Sequence, residues 1–137
     1  MICFDTNAAI ALLSGQASPV RARFEAALAL EETLAISTLV VFELAYGAFK
    51  SRRQADNLHK IKEFVASPMQ VLPFDLDDAQ EAGEVRTLLE QVGRPIGPYD
   101  LLIAAQARRR QATLVTANTR EFNRVSGLKI EDWTAPL

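Results

Sequence analysis

The 137-residue sequence predicts an α/β domain spanning residues 1–137, built on a central parallel sheet of about four or five strands with helices on both faces. Three observations carry this. Short, wholly apolar runs lack the alternation of a half-exposed strand, as expected for strands covered on both sides. Segments of helical spacing separate those runs almost without exception, and strand–helix alternation is the pattern of parallel sheets. Finally, 49% of the residues are apolar and 23% charged, a profile that supports one compact core.

The elements follow in order. Ile2 to Phe4 form the first strand, and "TNAAIALLSG" a helix with Ala9, Leu12 and Leu13 on one face and Gly15 as its stop. In "SPVRARFEAALAL" Ser18 is placed to cap and Pro19 to occupy the first helical position. "TLAIST" is the second strand; "LVVFELAYGAFKS" and "RRQADNLHKIKEFVAS" read as two helices ending near Pro68. "MQVLPF" is the third strand. Asp75 to Asp78 open a long helix through Leu88 and Leu89, which Gly93 closes. After the constrained turn "RPIGPYD", "YDLLIAAQARRRQ" is a largely apolar helix with its arginines at the far end, "ATLVT" the fourth strand and "LKIEDW" a fifth.

Composition excludes several classes of function. The single cysteine, Cys3, lies in the first apolar run, so neither a disulfide framework nor a cysteine metal site can form within the chain. The first residues lack the basic and long apolar stretches of a secretory signal, and no apolar run reaches the roughly 18 residues of a membrane span. A soluble protein of the reducing cytoplasm is the expectation. The formal net charge of -2 indicates neither a nucleic-acid binder nor an acidic tail. Basic residues cluster only locally, in "KSRR" and "ARRRQ". These read either as solvated helix ends or as contacts to a phosphate backbone.

In a parallel α/β sheet, sites form beyond the carboxyl ends of the strands, where loops bring distant residues together. Four acids fall there: Asp5 after the first strand, Glu43 in the helix after the second, Asp100 after "IGP", and Glu121 after "LVTANTR". Asp5 also suits a helix N-cap, and Asp100 the positive pole of a helix. Glu43 has Leu39, Val40, Tyr46 and Gly47 at helical neighbour positions; Asp100 has Ile96, Gly97, Ile103 and Ala104; Asp5 is followed by Ala8 and Ala9. None has a local cation, whereas Glu25, Glu63 and Glu90 have Arg21, Lys60 and Arg86 within one turn.

Burying an unpartnered carboxylate costs several kcal/mol, and several together repel one another. A hard divalent cation relieves both, so a Mg²⁺ or Mn²⁺ site at Asp5, Glu43 and Asp100 is expected. Glu121 is the fourth candidate, with Arg124 three residues on as an alternative partner. Such a site suits phosphodiester hydrolysis by an activated water. Thr6, Asn7, Ser37, Thr116 and Asn118 lie at the same strand ends, with hydroxyls and amides suited to orienting carboxylates or waters. The only histidine, His59, has Lys60 and Lys62 beside it and reads as a surface residue.

The segments "DTN", "FELAYGA", "PIGPYDLLIAAQA" and "LVTANTREFNRVSGLKIEDW" together resemble the PIN-domain ribonucleases, specifically the VapC toxins of bacterial toxin–antitoxin pairs, over essentially the whole chain. The resemblance implies a PIN-like fold and a Mg²⁺- or Mn²⁺-dependent endoribonuclease cutting tRNA or rRNA. Its acidic cluster maps onto Asp5, Glu43, Asp100 and Glu121. It also implies a cognate VapB antitoxin laid over the acidic groove, a toxin homodimer, and contact with DNA only through the antitoxin. Phe42, Tyr46 and Phe49 are candidates for that groove or for the core. Lys50, Arg52, Arg53, Arg94, Arg108 and Arg120 are candidates for RNA phosphate contacts.

Three alternatives compete. A non-catalytic binding module on the same scaffold would not need three unpaired acids. A phospho-receiver accepting at Asp75 would need paired acids after the first strand, where Thr6 and Asn7 follow Asp5; a haloacid-type phosphatase would need an acid in place of Asn7.

Overall fold

The computed structural model describes residues 1–66 and 68–136. Five strands form one sheet: β1 (Ile2–Phe4), β2 (Leu34–Ser37), β3 (Gln70–Leu72), β4 (Thr113–Val115) and β5 (Lys129–Glu131). Every neighbouring pair is parallel, and the order is β3-β2-β1-β4-β5. All four residues of β2 are buried, as only a strand covered on both faces can be, while β3 and β5 expose most of their residues at the two edges.

Among the described residues seven helices connect and cover the strands: α1 (Thr6–Leu13), α2 (Pro19–Ala29), α3 (Thr38–Lys50), α4 (Gln54–Phe64), α5 (Leu76–Gln91), α6 (Pro98–Arg109) and α7 (Thr119–Phe122). Their starts obey the local chemistry. Ser18 accepts from the Arg21 N–H with Pro19 next, and Asp75 and Asp78 form a reciprocal capping box at α5. Gly93 ends α5 with φ +67, a conformation that favours glycine. α4 begins later than the sequence suggested, since Arg53 precedes it without a side-chain cap. Ser67, at the end of that stretch, lies outside the described residues, as does Leu137. The short helix α7 was not expected. Among the described residues no helix is long and apolar enough to cross a membrane.

Core packing centres on Phe4, which meets the rings of Phe24 and Trp133 edge-on at 5.9 and 5.4 Å between centroids. A second anchor is ionic. Asp78 is fully buried and accepts from Arg109 Nε at 2.7 Å, Arg110 Nη1 at 2.5 Å and Gln106 Nε2 at 3.1 Å, tying α5 to the end of α6. Burial pushes the Asp78 carboxyl up, but the hydrogen bonds from Arg110, Arg109, the Asp75 N–H and Gln106 outweigh it and hold it at about 2. Arg108 bonds Glu81 and Glu84 at 2.7 and 2.6 Å, so the whole arginine run is committed to α5 and its cap.

The strand order matters for function. The chain steps outward from β1 to β2 to β3, then returns to the other side of β1 with β4. Beyond the carboxyl ends of β1 and β4 the connections diverge to opposite sides, and such a switch point opens a crevice.

Candidate active site

Asp5 stands at that crevice. It is 5% exposed, its N–H bonds the Val115 carbonyl of β4, and its carboxylate caps α1 by accepting the Ala8 N–H at 2.9 Å. The cap is real, and it also clamps the side chain at the strand end. Glu43 arrives from the next strand. Ser37 ends β2 and caps α3 through the Leu39 N–H, and the half-buried Glu43 one turn along accepts the Thr6 hydroxyl at 2.7 Å. Asp100 sits in the first turn of α6, behind Gly97 and Pro98.

The electrostatics identify these residues as neighbours. Burial pushes the Asp100 carboxyl up to about 6, reinforced by the charges of Glu121, Asp5 and Glu43. Asp5 is also raised, first by burial, with Glu43 adding to it and with the Thr116 hydroxyl and the Ala8 N–H working against it. Among the described residues no cation is a cause of either shift. The acids lie in an open arrangement: among the described residues no three Asp, Glu, His or Cys side chains form a ready cage for a metal ion.

Glu121 is held differently from the other three. One carboxylate oxygen accepts the Gly97 N–H at 2.8 Å, and the other accepts Asn118 Nδ2 at 2.5 Å. A Cβ on Gly97 would stand 3.6 Å from Asp100 Oδ2 and 3.7 Å from Glu121 Oε1, so α7 and α6 bring both carboxylates around one glycine. The Arg124 pairing does not form; that guanidinium donates to the Pro95 carbonyl at 2.9 Å instead. Glu121 therefore ties α7 to the start of the helix bearing Asp100, a role with no signature in the local sequence.

The neighbouring polar residues divide. Thr6 supports Glu43, Thr116 touches the Asp5 environment and accepts the Asn118 N–H at 3.0 Å, and Asn118 supports Glu121. Ser37 acts as a helix cap, and Asn7 is exposed and forms no hydrogen bond to the acids among the described residues. Of the basic candidates, Lys50, Arg52, Arg53, Arg94 and Arg120 are exposed. Arg108 is withdrawn from an RNA-binding role: its side chain is 14% exposed, bonded to two glutamates, and about 12 Å along α6 from Asp100.

Phe42, Tyr46 and Phe49 are not core residues, being at least half exposed. Nor do they line the groove between α1, α3 and α4. That groove, about 300 Å³, is formed by Ile10, Leu13, Leu44, Gly47, Ala48 and Ile61 and has Glu43 in its wall. The aromatics stand on other positions of α3, where Phe42 meets Tyr99 at 5.5 Å between centroids.

The donor set at the crevice is all oxygen, and it fits a hard divalent cation rather than a thiolate or imidazole site. Asp5 and Asp100, with carboxyls raised by burial and by the charge of neighbouring acids, Glu43 acting on both, are the residues suited to hold one, with Glu43 beside them.

A PIN domain family model matches residues 2–128. The chain is 42% identical over 130 residues to the tRNA(fMet)-specific endonuclease VapC of Shigella flexneri, covering 95% of this chain and 96% of that protein. Against Ribonuclease VapC2 of Rickettsia felis it is 43% identical over 106 residues, 77% of this chain and 78% of the relative. Its fold superposes with a TM-score of 0.89 on a chain of the crystal structure of VapBC2 from Rickettsia felis bound to a DNA fragment from their promoter, at 37% identity, covering 97% and 99% of the two chains. The chain thus belongs to the PIN-domain family, among its VapC ribonucleases.

Proposed function

We propose that this protein is a Mg²⁺- or Mn²⁺-dependent endoribonuclease acting as the toxin of a VapBC pair, with a tRNA as its substrate. The observation that carries the reading is the clustering of carboxylates at the crevice: burial raises both Asp5 and Asp100, Glu43 adds to both, and Asp5 and Glu121 add further to Asp100. Asp5 and Asp100 would hold the metal, and Glu43 would accept a proton or fix a water. When bound, the metal supplies charge neutralisation at the phosphoryl group and lowers the pKa of an attacking water.

The chain's own residues position this chemistry. The α1 cap fixes Asp5, the Thr6 hydroxyl aims Glu43, and the Glu121–Gly97 bond holds the start of α6 so that Asp100 faces the crevice. Water attacks phosphorus, the P–O bond to one ribose breaks, and the leaving oxygen takes up a proton. A protein nucleophile is not needed, and the obvious candidates are poorly suited. Burial pushes the Cys3 thiol up to about 11, and His59 is an exposed residue of α4 paired with Glu63 at 2.8 Å.

The tRNA(fMet) specificity of the Shigella flexneri relative makes this initiator tRNA the first substrate to try. The VapBC2 complex supports a VapB antitoxin as partner. Its segment would lie in the groove between α1, α3 and α4, with a basic side chain reaching Glu43. A homodimer, and DNA contact through the antitoxin, complete the reading.

The test is incubation of antitoxin-free protein with initiator tRNA and with total RNA, in Mg²⁺ or Mn²⁺. Discrete fragments lost in EDTA and in Asp5→Asn, Glu43→Gln and Asp100→Asn are the expected result. Cleavage persisting in EDTA, or in Asp100→Asn, would overturn the mechanism. Folded protein that binds RNA and metal but never cuts would favour the binding module.

A further inference from the structure

We propose that the cleft between residues 95–97 and α7 is a subsite for an RNA phosphodiester beside the scissile bond. This rests on the ribonuclease reading above. The cleft, about 530 Å³, is lined by Pro95, Ile96, Gly97, Asn118, Arg120, Glu121 and Arg124. Gly97 and Glu121 also border the acidic crevice, so a strand crossing Asp5 and Asp100 runs directly into it.

Its chemistry suits an anion. Two guanidiniums and an amide face one acid, and that acid has both oxygens engaged by Gly97 and Asn118. Arg120 is exposed and forms no ion pair among the described residues, in contrast to Arg108, Arg109 and Arg110, which are committed to carboxylates of α5 and its cap. Arg124 lines the same cleft and is held in place by donating Nη1 to the Pro95 carbonyl at 2.9 Å. A guanidinium fixed in this way presents a planar fork that matches phosphate oxygens. A cationic rim is also what an acidic crevice requires, because the acids alone would repel the RNA backbone. Exposed Arg94, one residue before the cleft, extends the same rim.

The experiment uses Asp100→Asn as the binding form, with a single-stranded RNA oligonucleotide, and measures Kd across a KCl series. Adding Arg120→Gln should weaken binding several-fold and reduce the slope of log K against log salt by about 0.7, the loss of one phosphate contact on a single strand. Lys129→Gln on the edge strand β5 removes the same charge elsewhere and should leave the slope unchanged. Arg124→Lys, which keeps the charge and loses the fork, should raise Kd with a smaller change in slope. An Arg120→Gln slope indistinguishable from that of Lys129→Gln overturns the subsite while leaving the ribonuclease reading intact. Salt-independent binding, or none, in Asp100→Asn overturns both.

Discussion

Replacing Asp100 by Asn removes a charge that the fold disfavours, and the metal-free protein should become more stable as its activity disappears. The folded-state carboxyl is raised from 3.8 to about 6 by burial and by Glu121, Asp5 and Glu43, and among the described residues Asp100 receives no hydrogen bond that the substitution would break. A rise from 3.8 to about 6 is worth at most about 3 kcal/mol. Asp100 is partly open to solvent, which screens the repulsion and reduces the gain to about 1–2 kcal/mol. For 137 residues that is a rise in Tm of roughly 3–6 °C. The sign follows from linkage. A raised folded pKa means the wild type loses stability as pH climbs from 3.8 through about 6, so the gap should be full at pH 7.5 and closed near pH 4. Differential scanning calorimetry in EDTA at both pH values measures it. A fall in Tm at pH 7.5, or a gap that persists at pH 4, would refute mutual carboxylate repulsion as the organising feature of this site. Saturating Mg²⁺ should reverse the order, stabilising the wild type and not the variant.

Other outcomes follow from the same geometry. Thr6→Val removes the hydroxyl that aims Glu43 and should lower kcat about 10- to 100-fold with Tm nearly unchanged, as steady-state cleavage and calorimetry would report. Glu121→Gln keeps an oxygen for the Gly97 N–H and should retain more activity than Glu121→Ala; equal loss in both, with equal loss of Mn²⁺ affinity by titration calorimetry, would make Glu121 a ligand instead. Asp78→Ala strands Arg109 and Arg110 against the interior and should cost about 3–5 kcal/mol in urea unfolding. In the wild type the Asp78 carboxyl sits at about 2, below its usual value, so its contribution is present above pH 4 and lost as pH falls through about 2.

Local features of the sequence were reliable wherever the physics was local. Ser18 with Pro19, the Asp75–Asp78 box and Gly93 mark helix ends by backbone chemistry within a few residues, and all three stand in the structure. Ion pairing was less legible. Arg86 pairs with Glu90 as its spacing suggested, but Glu63 takes His59 rather than Lys60, and Arg21 turns to the Leu12 carbonyl. α7 escaped notice because four residues are too few to display a period.

The acids were found by what they lacked. Asp5, Glu43 and Asp100 each stand among apolar neighbours with no cation one turn away, and that absence is a property of the chain read alone. Apolar runs too short and too uniform for half-exposed strands likewise determined a buried parallel sheet. Where the acids meet was a tertiary decision. The order β3-β2-β1-β4-β5 places β4 beside β1, and a parallel crossover of this kind is set by the packing of whole helices against the sheet, which leaves no trace at the residues that become neighbours. The same packing decided that Arg108 to Arg110 serve α5, that Glu121 holds Gly97, and that Arg120 and Arg124 remain at the rim. A side chain's partner is chosen by distance in space, and for these residues the partner lies a dozen or more positions away.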